Sequence, residues 1–301
     1  MVRLGLVGVG SHSRSLHVTS LQKIVGETPN RVRLSGVCDL NLPAARDVAQ
    51  RFDGCAAYSS VDTMLASQTI DAVMLIVPTP VLPGLVRQLL PHNLPMLIEK
   101  PLAGTNQEAL ALCEAIERSG SRVMVSSNRR FAPVLTRGKS LLAGRRVVRS
   151  HQTFARVGRT EGDFLNGTAF HAADTIRFLL GDVADHTLSR LQTDTGQWAT
   201  IRMTFQSGCI GTLDILPTSG LWSERTELFG EDFTLRLEWP DRVRLWEQGK
   251  LVLDESPASD EPGFVRDGTY HETLAFIESV RSGTTMNPTP ADVLASMLLC
   301  E

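Results

Sequence analysis

The chain lacks any uninterrupted apolar run of the ~20 residues needed to span a bilayer. It also lacks an excess of one charge sign, since 30 Lys and Arg stand against 33 Asp and Glu, for a formal net charge of -3. Without a basic surplus there is no broad attraction for phosphate backbones or anionic lipid. Nucleic acid and membrane are therefore excluded as partners, and only local clusters such as Arg145-Arg146 remain for a small anion. Cysteine is sparse and carries no pairing signal: Cys38, Cys55, Cys113, Cys209 and Cys300 are odd in number, scattered and free of CxxC spacing. This argues against a disulfide framework or a zinc site and fits a reducing cytoplasm; no metal is expected. There is no internal repeat, low-complexity tract or long polar linker. Residues 1–9 are apolar but short and glycine-interrupted, and they run into phosphate-loop chemistry, so they read as a strand rather than a signal segment.

What is present is an ordinary globular composition over 301 residues, with room for two cores. The first 125 or so residues alternate short apolar strands (2–7, 32–38, 71–77, 96–99, 122–126) with helices (14–25, 43–52, and one from the capping box Thr105-Asn106-Gln107-Glu108). That alternation predicts an α/β fold opening with a doubly wound parallel sheet of Rossmann type. From Asn128 the texture changes. A basic helix (130–142), a strand (147–156) and a helix (168–180) precede strands at 200–205, 208–215, 225–229, 234–238 and 243–246, separated by turn signals. These predict an α+β domain with a large, mostly antiparallel sheet, followed by helices at 270–281 and 290–299. The expected division is a dinucleotide-binding domain over 1–126, a substrate domain over 127–285, and a C-terminal helix over 286–301 packing back on the first domain.

Two motifs carry chemistry. Gly8-Val9-Gly10-Ser11-His12-Ser13 directly follows the first strand and opens a helix. Gly8 allows the tight turn, Gly10 lets the backbone approach a pyrophosphate, and the helix N-terminus offers amides and a positive dipole end to that anion; Ser13 fills the third fingerprint position. Asp39 ends the second strand, where a carboxylate accepts both ribose hydroxyls and repels a 2′-phosphate, favouring NAD over NADP. The second motif is Glu99-Lys100-Pro101, which closes an apolar strand at the sheet edge where open parallel sheets bind ligands. Pro101 restrains the chain just after the lysine, and the pairing of this strand end with the upstream nucleotide turn suggests a dehydrogenase.

Together these residues resemble the Gfo/Idh/MocA oxidoreductase family nearly end to end. The matching pieces are Gly8-x-Gly10 with His17, Asp39, Ile70-Asp71-Ala72-Val73 leading to Pro78-Thr79, Glu99-Lys100-Pro101-Leu102, Asn128-Arg129-Arg130-Phe131-Ala132-Pro133, His171-x-x-Asp174 before Leu180-Gly181, and Glu227-x-x-Gly230. The resemblance implies NAD(P)-dependent redox chemistry on sugars, cyclitols and related polyols, with Lys100 and His171 catalytic. It implies a cofactor site of Gly8, Gly10, Ser11, His12, Ser13, Asp39, Pro78, Thr79, Glu99 and Lys100. Substrate contacts are expected from Lys100, Asn128, Arg129, Arg156, His171 and Asp174, with Arg159 a weaker candidate. A homodimer or homotetramer assembled through the open sheet is also implied, as the tryptophans Trp198, Trp222, Trp239 and Trp246 on or beside that sheet would suit. Two departures stand out: Gly167 occupies the place of an aspartate four residues before the histidine, and Leu82 that of a histidine. They motivate one alternative, a catalytically weakened nucleotide-binding regulator, and the resemblance itself implies a second, an NAD-assisted redox glycosidase.

Overall fold

The computed structural model describes residues 1–67, 69–161 and 164–301. Contacts divide the chain into two compact units, residues 1–127 with 269–294 and residues 128–268 with 295–301. The expected boundary was at 285, whereas the contacts divide at 268/269. The helix Thr269–Ser282 belongs with the N-terminal residues because its apolar face (Phe276, Ile277) is buried there and its buried Glu272 accepts hydrogen bonds from Ser126 Oγ and Ser127 N. The C-terminal stretch is likewise split, at residue 294.

In the first unit six strands, β1 (Val2–Val7), β2 (Val32–Cys38), β3 (Ala56–Tyr58), β4 (Ala72–Leu75), β5 (Met96–Ile98) and β6 (Val123–Val125), form a parallel sheet in the order β3-β2-β1-β4-β5-β6. Their apolar runs are buried almost throughout, as strands covered on both faces must be. Strand order reverses at the β1/β4 junction, the switch point where such sheets open a crevice beyond the strand C-termini.

The second unit holds eight strands: β7 (Arg149–Ala155), β8 (Val183–Thr193), β9 (Gly196–Phe205), β10 (Ile210–Leu216), β11 (Ser223–Phe229), β12 (Phe233–Trp239), β13 (Arg242–Glu247) and β14 (Lys250–Glu255). Their order is β14-β13-β12-β11-β7-β10-β9-β8, with every neighbouring pair antiparallel except β7 and β10. Alternate residues (Phe154, Ile201, Leu213, Leu228, Leu235, Val243) form a core with Val134 and Leu135 and with Ala172 and Ile176, from the helices Pro133–Leu141 and Phe170–Leu180. The residues between them are polar and form their own network, including His151 to Asp214 at 2.9 Å and Thr200 to Asp214 at 2.8 Å. The strands β8 and β14 escaped the sequence reading for one reason: both are edge strands, largely exposed on both faces, so neither shows the alternation that reports a half-buried strand. Among the described residues no helix is long and apolar enough to cross a membrane.

Candidate active site

In the first unit the nucleotide motif lies at the switch point. Gly8 has φ +92°, and a Cβ there would stand 2.2 Å from the carbonyl oxygen of Ile76, just beyond β4, so backbone proximity alone requires glycine. Gly10 is different: a Cβ on it would meet nothing within 4 Å. No packing in the unit explains that glycine, and the space beside it fits close approach by a ligand. Ser13 is buried, consistent with tight packing at the third fingerprint position, while Ser11 and His12 are exposed. Asp39, half-buried after β2, accepts from Val9 N through Oδ2 and from Asn41 N through Oδ1, both at 2.8 Å. Its carboxylate therefore fixes the Gly8–Gly10 turn, and each oxygen keeps a lone pair. Pro78 and Thr79 follow β4 at the same edge.

The two residues that follow β5 diverge. Lys100 is half-buried beyond the strand end. Glu99, expected at the cofactor, is instead buried. Its Oε1 receives Nε2 of His12 at 3.3 Å and Nε2 of His17 at 3.1 Å, and its Oε2 accepts from Lys100 N at 3.1 Å. Burial pushes this carboxyl upward, but the hydrogen bonds from His12 and His17 outweigh it and hold Glu99 well below the usual carboxylate range.

In the second unit His171 lies half-buried in the first turn of Phe170–Leu180, its ring tilted against Phe170 at 5.8 Å. The preceding turn, Leu165–Ala169, is π-helical. The helical repeat is longer there, so the four-residue offset that pairs position 167 with His171 on an α-helix does not apply unchanged. Asp163 lies outside the described residues.

Four residues expected at the substrate have partners within the second unit. Asp174 is buried, gripped by Arg130 through Nη2 at 2.6 Å and Nε at 2.9 Å and by Ser296 Oγ at 2.8 Å, so its lone pairs serve the fold. Arg129 reaches buried Glu224 bidentately at 2.6 and 2.7 Å and stacks on Trp239 at 4.2 Å. Arg156 meets the same carboxylate and is sandwiched by Phe154 at 3.8 Å and Trp222 at 4.7 Å; burial lowers its pKa despite Glu224. Asn128 spends its amide on the Asp267 carbonyl at 3.1 Å. The sequence reading missed Glu224, Arg130 and Ser296, because pairs 44 to 122 residues apart leave no local signal. Trp222 and Trp239 turn out to be arginine platforms, 5.6 Å apart.

Residues 2–127 match the profile described as "Oxidoreductase family, NAD-binding Rossmann fold". An inositol 2-dehydrogenase from Saccharopolyspora erythraea is 24% identical over all of this chain and 91% of its own length. Residues 2–127 thus carry the match to the Gfo/Idh/MocA oxidoreductase family, and the whole chain is similar to its dehydrogenases. A D-apiose dehydrogenase from Paraburkholderia graminis, 26% identical over 80% of this chain and 68% of its own, is a further relative. Among solved structures, a dehydrogenase from Chromobacterium violaceum superposes with a TM-score of 0.89 at 20% identity, covering 99% of this chain and 93% of that one. An Agrobacterium radiobacter oxidoreductase in complex with NAD+, L-tartaric acid and magnesium gives 0.83 at 20% identity, covering 99% and 94%.

The matched residues keep the NAD-binding Rossmann fold, and the two positions singled out by the resemblance are Leu82 and Gly167. Leu82 is fully buried among core residues, so that place is given to packing. Gly167 supplies no carboxylate.

Proposed function

We propose that the protein is an NAD-dependent dehydrogenase or reductase acting on a carbinol carbon of a sugar, cyclitol or related polyol. The observation that carries this reading is the turn at the switch point, where Gly8 is demanded by the backbone but Gly10 is demanded by nothing in the unit. The residues suit the dinucleotide. The amides of 11–13 open the helical segment toward a pyrophosphate, Pro78 and Thr79 flank the switch point, and Asp39, already fixed by two backbone amides, presents spare lone pairs to ribose hydroxyls and negative charge to a 2′-phosphate. NAD, when bound, supplies the hydride acceptor. Lys100 Nζ holds a proton at the substrate oxygen and stabilises its developing charge, and the imidazole of His171 is the candidate base. The named activities of the inositol and D-apiose dehydrogenase relatives support a polyol substrate. We further propose a cytoplasmic homodimer or homotetramer formed through the polar face of the eight-stranded sheet; light scattering that finds only a 32.9 kDa species counts against it.

A second reading, a nucleotide-binding regulator with weak turnover, is favoured by Gly167 and by the core use of Leu82. Calorimetry with NAD and NADP, followed by nicotinamide absorbance over a panel of inositols, aldoses and keto-sugars, separates the two. NAD binding with stoichiometric absorbance change supports the dehydrogenase, NAD binding without turnover supports the regulator, and failure to bind either nucleotide overturns both.

A further inference from the structure

Among the described residues one cluster brings three potential metal-ligand atoms together: Nε2 of His12, Nε2 of His17 and a carboxylate oxygen of Glu99, all within 4.8 Å of one another. Their convergence has a specific backbone cause. On an α-helix, residues five apart point about 140° from each other. The segment Ser13–Val18 is instead π-helical, with i to i+5 hydrogen bonding, so five residues make roughly one turn. The two rings therefore come to one side, with centroids 5.6 Å apart, and Glu99 meets both from the end of β5. Isolated π-turns are rare and concentrate at functional sites.

The separations are near those of a coordination sphere. With bonds of 2.0–2.2 Å, adjacent ligands around a tetrahedral ion lie about 3.3–3.6 Å apart; Nε2 of His12 stands 3.3 Å from Glu99 Oε1, and Nε2 of His17, at 3.1 Å, reaches that range by moving a few tenths of an ångström. Two imidazoles and one carboxylate suit zinc-class ions, whereas magnesium and calcium prefer all-oxygen sets. His12, with 59% of its side chain exposed, gives access from solvent, while His17 at 1% and Glu99 at 10% anchor the site.

We propose that His12, His17 and Glu99 form a site for a divalent first-row transition-metal ion of zinc type, with a fourth position open to water. The inference stands on the geometry of the first unit and does not depend on the substrate or cofactor reading. Coordination through Nε2 puts the His17 proton on Nδ1, a buried atom with no hydrogen-bond partner. Metal sites whose outer imidazole nitrogen is unbraced lose about 10–100-fold in affinity, so this site is weaker by that factor than one with both histidines braced.

The test uses the untagged full chain, freed of metal by chelator, without nucleotide. Isothermal titration with Zn2+ and optical titration with Co2+ are expected to show one equivalent bound, with a visible band of tetrahedral cobalt, and Mg2+ is expected not to compete. His12→Ala, a change at an exposed position, is expected to weaken binding at least ten-fold and to remove the Zn2+-induced rise in Tm, while His12→Cys, which keeps a ligand, restores much of both. Glu99→Gln extends the assignment if it folds. Absence of binding, or a His12→Ala variant that binds Zn2+ as tightly as the parent, overturns the proposal.

Discussion

Glu99 apart, which is buried against His17, the two units place the residues expected at ligand sites differently. In the first, the residues expected at a ligand site stay at the C-terminal edge of a parallel sheet: Gly8 in a turn that backbone proximity dictates, Gly10 beside open space, Lys100 just beyond a strand end. In the second, Asp174, Arg129 and Arg156 are drawn inward, each into a buried ion pair with a partner distant in sequence. The difference teaches where motif reading is safe. A role set by backbone geometry travels with the local sequence, whereas a charged side chain's role depends on which opposite charge the tertiary fold delivers to it.

The comparison breaks most severely, if it is wrong, at Glu224. Replacing it with Gln leaves Arg129 and Arg156 buried without their counter-charge, and the expected loss is about 3–5 kcal/mol in urea unfolding. A near-neutral result makes those arginines available for ligand and erases the contrast. Gly8→Ala forces a Cβ against the Ile76 carbonyl at positive φ, for an expected loss of about 3 kcal/mol and of NAD binding, whereas Gly10→Ala, free of any protein neighbour, is expected to retain stability and lose nucleotide affinity alone. Differential scanning calorimetry beside nucleotide titration separates the two glycines. Lys100→Ala is expected to leave NAD affinity nearly intact and slow turnover by ~10²-fold on an identified polyol, and full retained activity refutes its role. The smallest expected effect is at Asp39→Ala, where NAD binding weakens by about ten-fold as ribose hydrogen bonds go and NADP gains relative to NAD as the repulsion is relieved. Equal selectivity in parent and variant leaves Asp39 only its turn-bracing bonds to Val9 and Asn41.

Much of the fold was legible because parallel strands covered on both faces write themselves as apolar runs, as residues 72–75 and 96–98 do. The central strands of the second sheet were legible through their alternation, and its edges were not, because an edge strand wetted on both faces has no period to read. Gly8, Asp39 and Lys100 were placed correctly relative to their strands, after β1, β2 and β5. The pairing of His12 with His17 was not legible, since a five-residue spacing is off-face in an α-helix and acquires meaning only when the turn is π-helical. Glu224 was invisible for a plainer reason: nothing near it in sequence states its charge partners.

The discontinuity of the first unit sets a timetable for biosynthesis. Its sheet is translated by residue 125, yet Glu272, which receives Ser126 Oγ and Ser127 N, comes about 145 residues later. At typical elongation rates that is roughly 7–30 s, during which every strand of the second unit leaves the ribosome while the end of β6 still lacks its carboxylate. The nucleotide-binding unit, whose sheet is the first available in full, is therefore the last to be sealed.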